Sequence, residues 1–109
     1  MAVRQITVEE LAAKQAKGEA VYLLDVRQPQ EHAIAALPDS MLVPLNELPR
    51  RAAEVRPPEG ALVVVYCHHG IRSLRAAAFL EQRGLANVVS LAGGIDAWSQ
   101  RVNTGVPRY

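Results

Sequence analysis

Residues 61–73 read Ala61-Leu-Val-Val-Val-Tyr66-Cys67-His68-His69-Gly70-Ile71-Arg72-Ser73, and the chain continues as Leu74-Arg-Ala-Ala-Ala-Phe-Leu-Glu-Gln-Arg83. Ala61 to Tyr66 is an unbroken apolar run rich in β-branched residues. Such a run suits a strand covered on both faces, and it marks the centre of a parallel sheet. From Ser73 to Arg83 the pattern turns helical: Leu74, Ala77 and Ala78 share a face, and Gly84 stands just past the end.

The flanking segments repeat this alternation. Upstream, Ala20-Val-Tyr-Leu-Leu-Asp-Val26 is a second near-continuous apolar run of strand length. Before it, Thr7-Val-Glu-Glu10 has the form of a capping box, followed by Val8, Leu11, Ala12 and Ala16 at helical spacing and by Gly18 as a stop. Pro29 suits the first position of a short helix, with Glu31 in its favourable first turn. Met41-Leu-Val43 is a brief extended piece before Pro44. A helix of about two turns, capped by Asn46, is expected next, and then a loop at Pro57-Pro58-Glu59-Gly60. Downstream, Val88-Val-Ser-Leu91 is a short strand, Gly93-Gly94 starts a last helix through Trp98, and Asn103 to Tyr109 is irregular. Strands alternating with helices imply an α/β fold with a mostly parallel sheet and right-handed crossovers.

Bulk properties set the frame. The chain has 109 residues, read as one domain over positions 1–109. Twelve basic residues (ten of them arginine, spread along the chain) against eleven acidic ones leave a net charge of +1. That balance gives no argument for nucleic acid or an anionic membrane as partner. Cys67 is the one cysteine, so no internal disulfide forms, which fits a reducing compartment. Met1 to Gln5 lacks the apolar core of a secretory leader, and no apolar run is long enough to cross a bilayer. A cytoplasmic location is the expectation.

The loop from Cys67 to Ser73 carries the chemistry. Ligands of open α/β sheets bind beyond the C-terminal ends of the strands. A loop there can wrap backbone N–H groups into a concave nest at the helix N-terminus, where partial positive charge lies. A cysteine at the mouth of that nest is a nucleophile favoured by the dipole and by N–H donors. Arg72 adds a planar fork suited to an oxyanion, and Gly70 allows the tight turn. A cysteine following a strand can instead be a small buried hydrophobe, but the glycine, the arginine and the helix start so close by argue for a site.

His68 and His69 are adjacent and should point apart. With only His32 besides them and no second cysteine, a zinc site is not expected. They are read as lining the pocket rim with pH-dependent charge, His69 equally as an exposed loop residue. No metal and no cofactor are expected.

These residues resemble a known family. Cys67-His-His-Gly-Ile-Arg72-Ser is similar to the active-site loop of single-domain rhodaneses. Leu24-Asp-Val-Arg-Gln-Pro-Gln-Glu31 resembles the family's first-strand signature, Leu37-Pro-Asp-Ser-Met-Leu-Val-Pro-Leu45 its short second strand, and Leu91-Ala-Gly-Gly-Ile-Asp-Ala-Trp98 its Gly-Gly-Ile…Trp helix start. The resemblance implies a five-stranded, mostly parallel sheet flanked by helices on both faces. It further implies that Cys67 takes a sulfane sulfur from thiosulfate or a related donor such as glutathione persulfide. The persulfide would be held by N–H groups from His68, His69, Gly70, Ile71 and Arg72, and its sulfur passed to cyanide, a thiol or a sulfur-relay protein, with ping-pong kinetics. Arg72 would hold the donor's anionic end and Ser73 would hydrogen-bond the Cys67 sulfur. Asp25 and Arg27 would brace the scaffold, with Arg27 spaced to pair with Glu31. Where many members carry a histidine and a glycine around the second strand, this chain has Ala36 and Asp39.

Two other readings compete. Cysteine-dependent phosphatases and arsenate reductases also combine a cysteine, an anion nest and an arginine. Their loop is one residue longer than the four residues between Cys67 and Arg72, and a tetrahedral phosphoryl group needs that wider cradle. A rhodanese-like module that docks or senses without turning over would usually lack the cysteine.

Overall fold

The two longest apolar runs lie side by side. In the computed structural model, which describes residues 3–109, β2 (Val21–Asp25) runs parallel to β4 (Leu62–Tyr66), from Val21 opposite Leu62 to Asp25 opposite Tyr66. Met1 and Ala2, part of the stretch read for a leader, lie outside the described residues. On the other side of β4 comes β5 (Val88–Leu91), with Val63 opposite Val88. β1 (Gln5–Ile6) and β3 (Met41–Leu42) form the edges, giving a five-stranded sheet in the order β1-β5-β4-β2-β3 with every pairing parallel. β4 is the middle strand, as its composition requires.

Helices cover both faces. Alternate residues of a strand point to opposite sides, so Val64 and Tyr66 join one core with Val8 and Leu11 of α1 (Val8–Ala16) and Ile95 and Trp98 of α5 (Gly94–Arg101). Val63, Val65 and Cys67 join the other, against Leu48 of α3 (Leu48–Arg51) and Ala76, Ala77 and Leu80 of α4 (Ile71–Gln82). The cysteine thus faces the helix that follows it. α2 (Pro29–Ile34) buries none of its side chains and serves to place them at the sheet's C-terminal rim.

The capping box at Thr7 forms as expected: Glu10 N donates to Thr7 Oγ1 at 3.1 Å and Thr7 N to Glu10 Oε1 at 2.9 Å. Other boundaries differ. Asn46 is not a cap. The chain turns from Pro44 into a 3₁₀ turn at Leu45–Glu47, so Asn46 sits inside that turn and its Oδ1 accepts from Gln28 Nε2. α4 begins at Ile71 rather than Ser73 because Gly70, at φ +106°, turns the chain straight into the helix. Arg72 therefore stands in the first helical turn. α5 runs on to Arg101, supported by Gln100 Nε2 donating to Asp96 Oδ2 one turn back at 2.8 Å. Asp39 has φ +62°, a left-handed position that glycine takes freely and aspartate tolerates, which accounts for the departure there. Among the described residues no helix is long and apolar enough to cross a membrane.

Candidate active site

β4 delivers Cys67 to the N-terminus of α4 with 1% of its surface exposed. The chain then loops back so that two amides face the sulfur: Gly70 N donates to Sγ at 3.1 Å and Ser73 N at 3.4 Å. First-turn amides have no partner within their own helix, and here the sulfur takes the place of an N-capping oxygen. The Cys67 thiol donates to Ser73 Oγ at 3.6 Å. Ser73 Oγ also meets Gly70 O at 3.1 Å and Ser90 Oγ, on β5, at 2.7 Å. A proton supplied by Ser90 leaves the Ser73 hydroxyl able to turn toward sulfur.

The loop's own carbonyls are held from the other side. Ile95 N donates to Cys67 O at 2.9 Å and Asp96 N to His68 O at 3.1 Å. Gly94, at φ +60°, makes this approach, and a Cβ there would collide with both oxygens.

Arg72 does not present a free fork. Its Nη1 and Nη2 donate to Glu31 Oε1 and Oε2 at 2.7 and 2.9 Å. Glu31 is further fixed by the amide of Gln28 at 3.0 Å and the hydroxyl of Tyr109 at 2.9 Å. The Arg72 bonds hold the Glu31 carboxyl down at about 2, against its partial burial and with help from Gln28 and Tyr109. Arg72 is raised in turn, chiefly by Glu31. The expected pair of Arg27 with the Glu31 carboxylate is corrected: Arg27 reaches only the backbone oxygen of Glu31, at 3.4 Å. The reason is burial. Asp25 and Arg27 are both inaccessible and pair with each other, Nε on Oδ1 at 2.9 Å and Nη2 on Oδ2 at 2.7 Å. Burial opposes the Arg27 charge, but the hydrogen bonds it donates to Asp25 and Tyr109 outweigh it and raise the group. Arg27 also donates to Ala35 O at 2.6 Å, tying β2 to the end of α2. Tyr66, whose hydroxyl meets Leu37 N at 3.1 Å and Ser40 Oγ at 2.8 Å, ties β4 to the next turn; burial and the Asp25 charge push its phenol up to about 12.

The histidines do not point apart. Their rings stack at 3.9 Å, and Tyr109 stacks on His68 at 4.0 Å. Burial, then the neighbouring His69, hold the His68 imidazole below its ordinary value, which favours its neutral form. His69 is exposed, with Nε2 3.7 Å from Asp96 Oδ2. The donor atoms of His68, His69 and Asp96 lie within 4.8 Å of one another. Ligands 2.0–2.1 Å from a tetrahedral zinc stand only about 3.4 Å apart, and Asp96 already holds Arg108 at 3.0 Å and Gln100 at 2.8 Å.

Of the residues singled out in the sequence, Cys67, Gly70 and Ser73 converge on the sulfur, and Arg72 turns to Glu31. His68 and His69 stack beside the loop, and Ile71 is largely exposed. Tyr109, Ser90 and the amides of Ile95 and Asp96 were not signalled. Tyr109 sits in a tail without periodicity, and the others act from chain positions remote from the loop.

An open parallel sheet whose central strand hands one buried cysteine to the N-terminus of a helix is a recognisable class of α/β domain. Residues 7–101 match the family described as Rhodanese-like domain. A sulfurtransferase of Allochromatium vinosum is 40% identical over 98 residues, spanning 90% of each chain. A putative sulfur carrier protein of Bacillus subtilis is 30% identical over 89% of this chain and 51% of its own. The crystal structure of a rhodanese-like domain protein from Staphylococcus aureus superposes with a TM-score of 0.81 at 26% identity, covering 98% of this chain and 99% of the other. This chain belongs to the rhodanese-like domain family.

Proposed function

We propose that this protein is a sulfurtransferase in which Cys67 carries sulfur as a persulfide. The observation that supports it most is the buried Cys67 Sγ held at the start of α4 by the Gly70 and Ser73 amides. The likeness to a protein named sulfurtransferase adds to it. The Cys67 thiolate attacks the outer sulfur of thiosulfate or of a persulfide such as glutathione persulfide. The sulfur–sulfur bond of the donor breaks, and its electron pair leaves on sulfite or on the donor thiolate. Cys67 is left as Cys–S–S⁻, whose negative charge suits N–H donors and the helix dipole. An acceptor thiolate, or cyanide in an assay, then attacks the outer sulfur and releases the Cys67 thiolate, so no oxidant or reductant is consumed. His68, His69 and Ile71 form the lip, and Asp25 and Arg27 act as the buried brace. The acceptor in the cell is a thiol or a sulfur-carrier protein, the latter suggested by the relative of that name. The chain acts as one domain over residues 1–109, and a free lone cysteine fits the reducing cytoplasm.

Intact mass after incubation with thiosulfate tests this. The wild type is expected to gain one sulfur and Cys67→Ala none, with sulfur transfer to cyanide falling at least about 1,000-fold. No adduct on the wild type would favour a docking module. Hydrolysis of an aryl phosphate, lost in Cys67→Ser, would favour a phosphatase.

A further inference from the structure

Sulfane-sulfur donors differ in the charge they bring. Thiosulfate carries a compact dianion next to the sulfur it gives up. An organic thiosulfonate, R–SO₂–S⁻, carries one negative charge and an apolar body, and an alkyl persulfide does the same.

The mouth of the Cys67 loop offers little charge for a dianion. Both arms of the Arg72 fork are engaged by Glu31, and Glu31 is itself held at four points: twice by Arg72, by the Gln28 amide and by the Tyr109 hydroxyl. The pair is neutral as a unit, and Glu31 stays ionised throughout the neutral range. Two further arginines are also paired, Arg27 with Asp25 and Arg108 with Asp96. Among the described residues the exposed large hydrophobics are Ile71 (71%), Ile34 (50%) and Tyr109 (38%). Ile71 precedes Arg72, Ile34 lies one helical turn beyond Glu31, and Tyr109 bonds to Glu31. Large apolar groups left in water around one spot mark a surface that receives an apolar partner.

We propose that Glu31 is a specificity-determining residue of this site: by neutralising Arg72 it turns the site toward singly charged donors with an apolar body and away from the thiosulfate dianion. The inference rests on the sulfur-transfer reading above. A dianion must draw Arg72 off a bidentate partner or settle beside the Glu31 carboxylate, and either costs binding. A monoanion can place its charge on the loop amides and its body against Ile71 and Tyr109. Tyr109 is a positioning residue here, acting through the hydrogen bond that keeps Glu31 in place.

The test compares thiosulfate with benzenethiosulfonate as donors, reading kcat/KM for each and persulfide formation by intact mass. For Glu31→Gln, which keeps the size and removes the charge, the thiosulfate-to-benzenethiosulfonate ratio of kcat/KM is expected to rise about tenfold, through KM for thiosulfate. For Tyr109→Phe a rise of about two- to threefold is expected, since only one support of Glu31 is lost. A ratio that stays level or falls in Glu31→Gln overturns the proposal, because Glu31 then serves only to hold Arg72 in place. If Glu31→Gln does not fold, Tyr109→Phe decides by the same ratio. If the wild type gains sulfur from neither donor, the sulfur-transfer reading falls and this inference with it; sulfur gained with an unchanged ratio defeats this inference alone.

Discussion

The β4–α4 and β5–α5 junctions are built to one plan and do opposite jobs. Each leaves a parallel strand, passes a glycine with left-handed φ (Gly70 at +106°, Gly93 at +77°) and enters a helix whose first amides point outward. At the first junction those amides meet a sulfur from the same loop. At the second they meet Cys67 O and His68 O, the carbonyls of the first. One helix N-terminus is free to hold the sulfur because the other is a brace. The local geometry alone does not distinguish them; what occupies the amides does.

The sharpest way to break this contrast is Gly94→Ala. The added Cβ meets the carbonyls of Cys67 and His68 and takes a backbone conformation unfavourable to alanine. A loss of about 2–4 kcal/mol is expected, seen as a Tm lower by about 10 °C or more. Sulfur transfer should fall about 100-fold, since the displaced loop moves its amides off the sulfur. Full activity in Gly94→Ala would show that the second junction braces nothing.

Ser73→Ala probes the first junction more gently. It keeps the Ser73 amide on Sγ while removing the hydroxyl between sulfur, Gly70 O and Ser90 Oγ. Stability should drop by about 1 kcal/mol and the rate of persulfide formation by about tenfold or less, measured by rapid-quench mass analysis. A loss as large as that of Cys67→Ala would move the burden from amide to hydroxyl.

Acid titration gives the smallest effect. Glu31, held at about 2 at the lip of the first junction, has a folded value below its ordinary 4.5. Its contribution is full above about pH 5 and is lost as the pH falls toward 2. Urea midpoints across that range should decline for the wild type and decline less steeply for Glu31→Gln; parallel curves would show that the pair does not stabilise the fold.

Most of the sheet was legible in the sequence because β2 and β4 are buried on both faces, and double burial writes a continuous apolar run. β1 was not found from its own residues. It has two of them, Gln5 exposed and Ile6 buried, and only the family resemblance supplied the fifth strand. Asn46 looked like a cap because its residue type suits one, but Pro44 had already begun the turn. At the site, Cys67, Gly70 and Ser73 were readable since the contacts among them span three to six positions. The partner of Arg72 lies 41 positions away in Glu31, and Arg27, at the more familiar i, i+4 spacing, took the assignment instead. Sequence pattern reports neighbours along a helix far better than partners across a fold.

Tyr109 carries a consequence for the order in which the site comes together. Its bonds to Glu31 and Arg27 close loops of 78 and 82 positions, whereas the amide contacts on Cys67 close loops of three and six. Closing a longer loop costs more chain entropy. The amide contacts on the sulfur are therefore local to β4 and α4, the brace from α5 closes over about 28 positions, and the Tyr109 contact that fixes Glu31 spans most of the chain. The contacts on the sulfur are thus the cheaper ones to close, and the Tyr109 contact that fixes Glu31 the dearer.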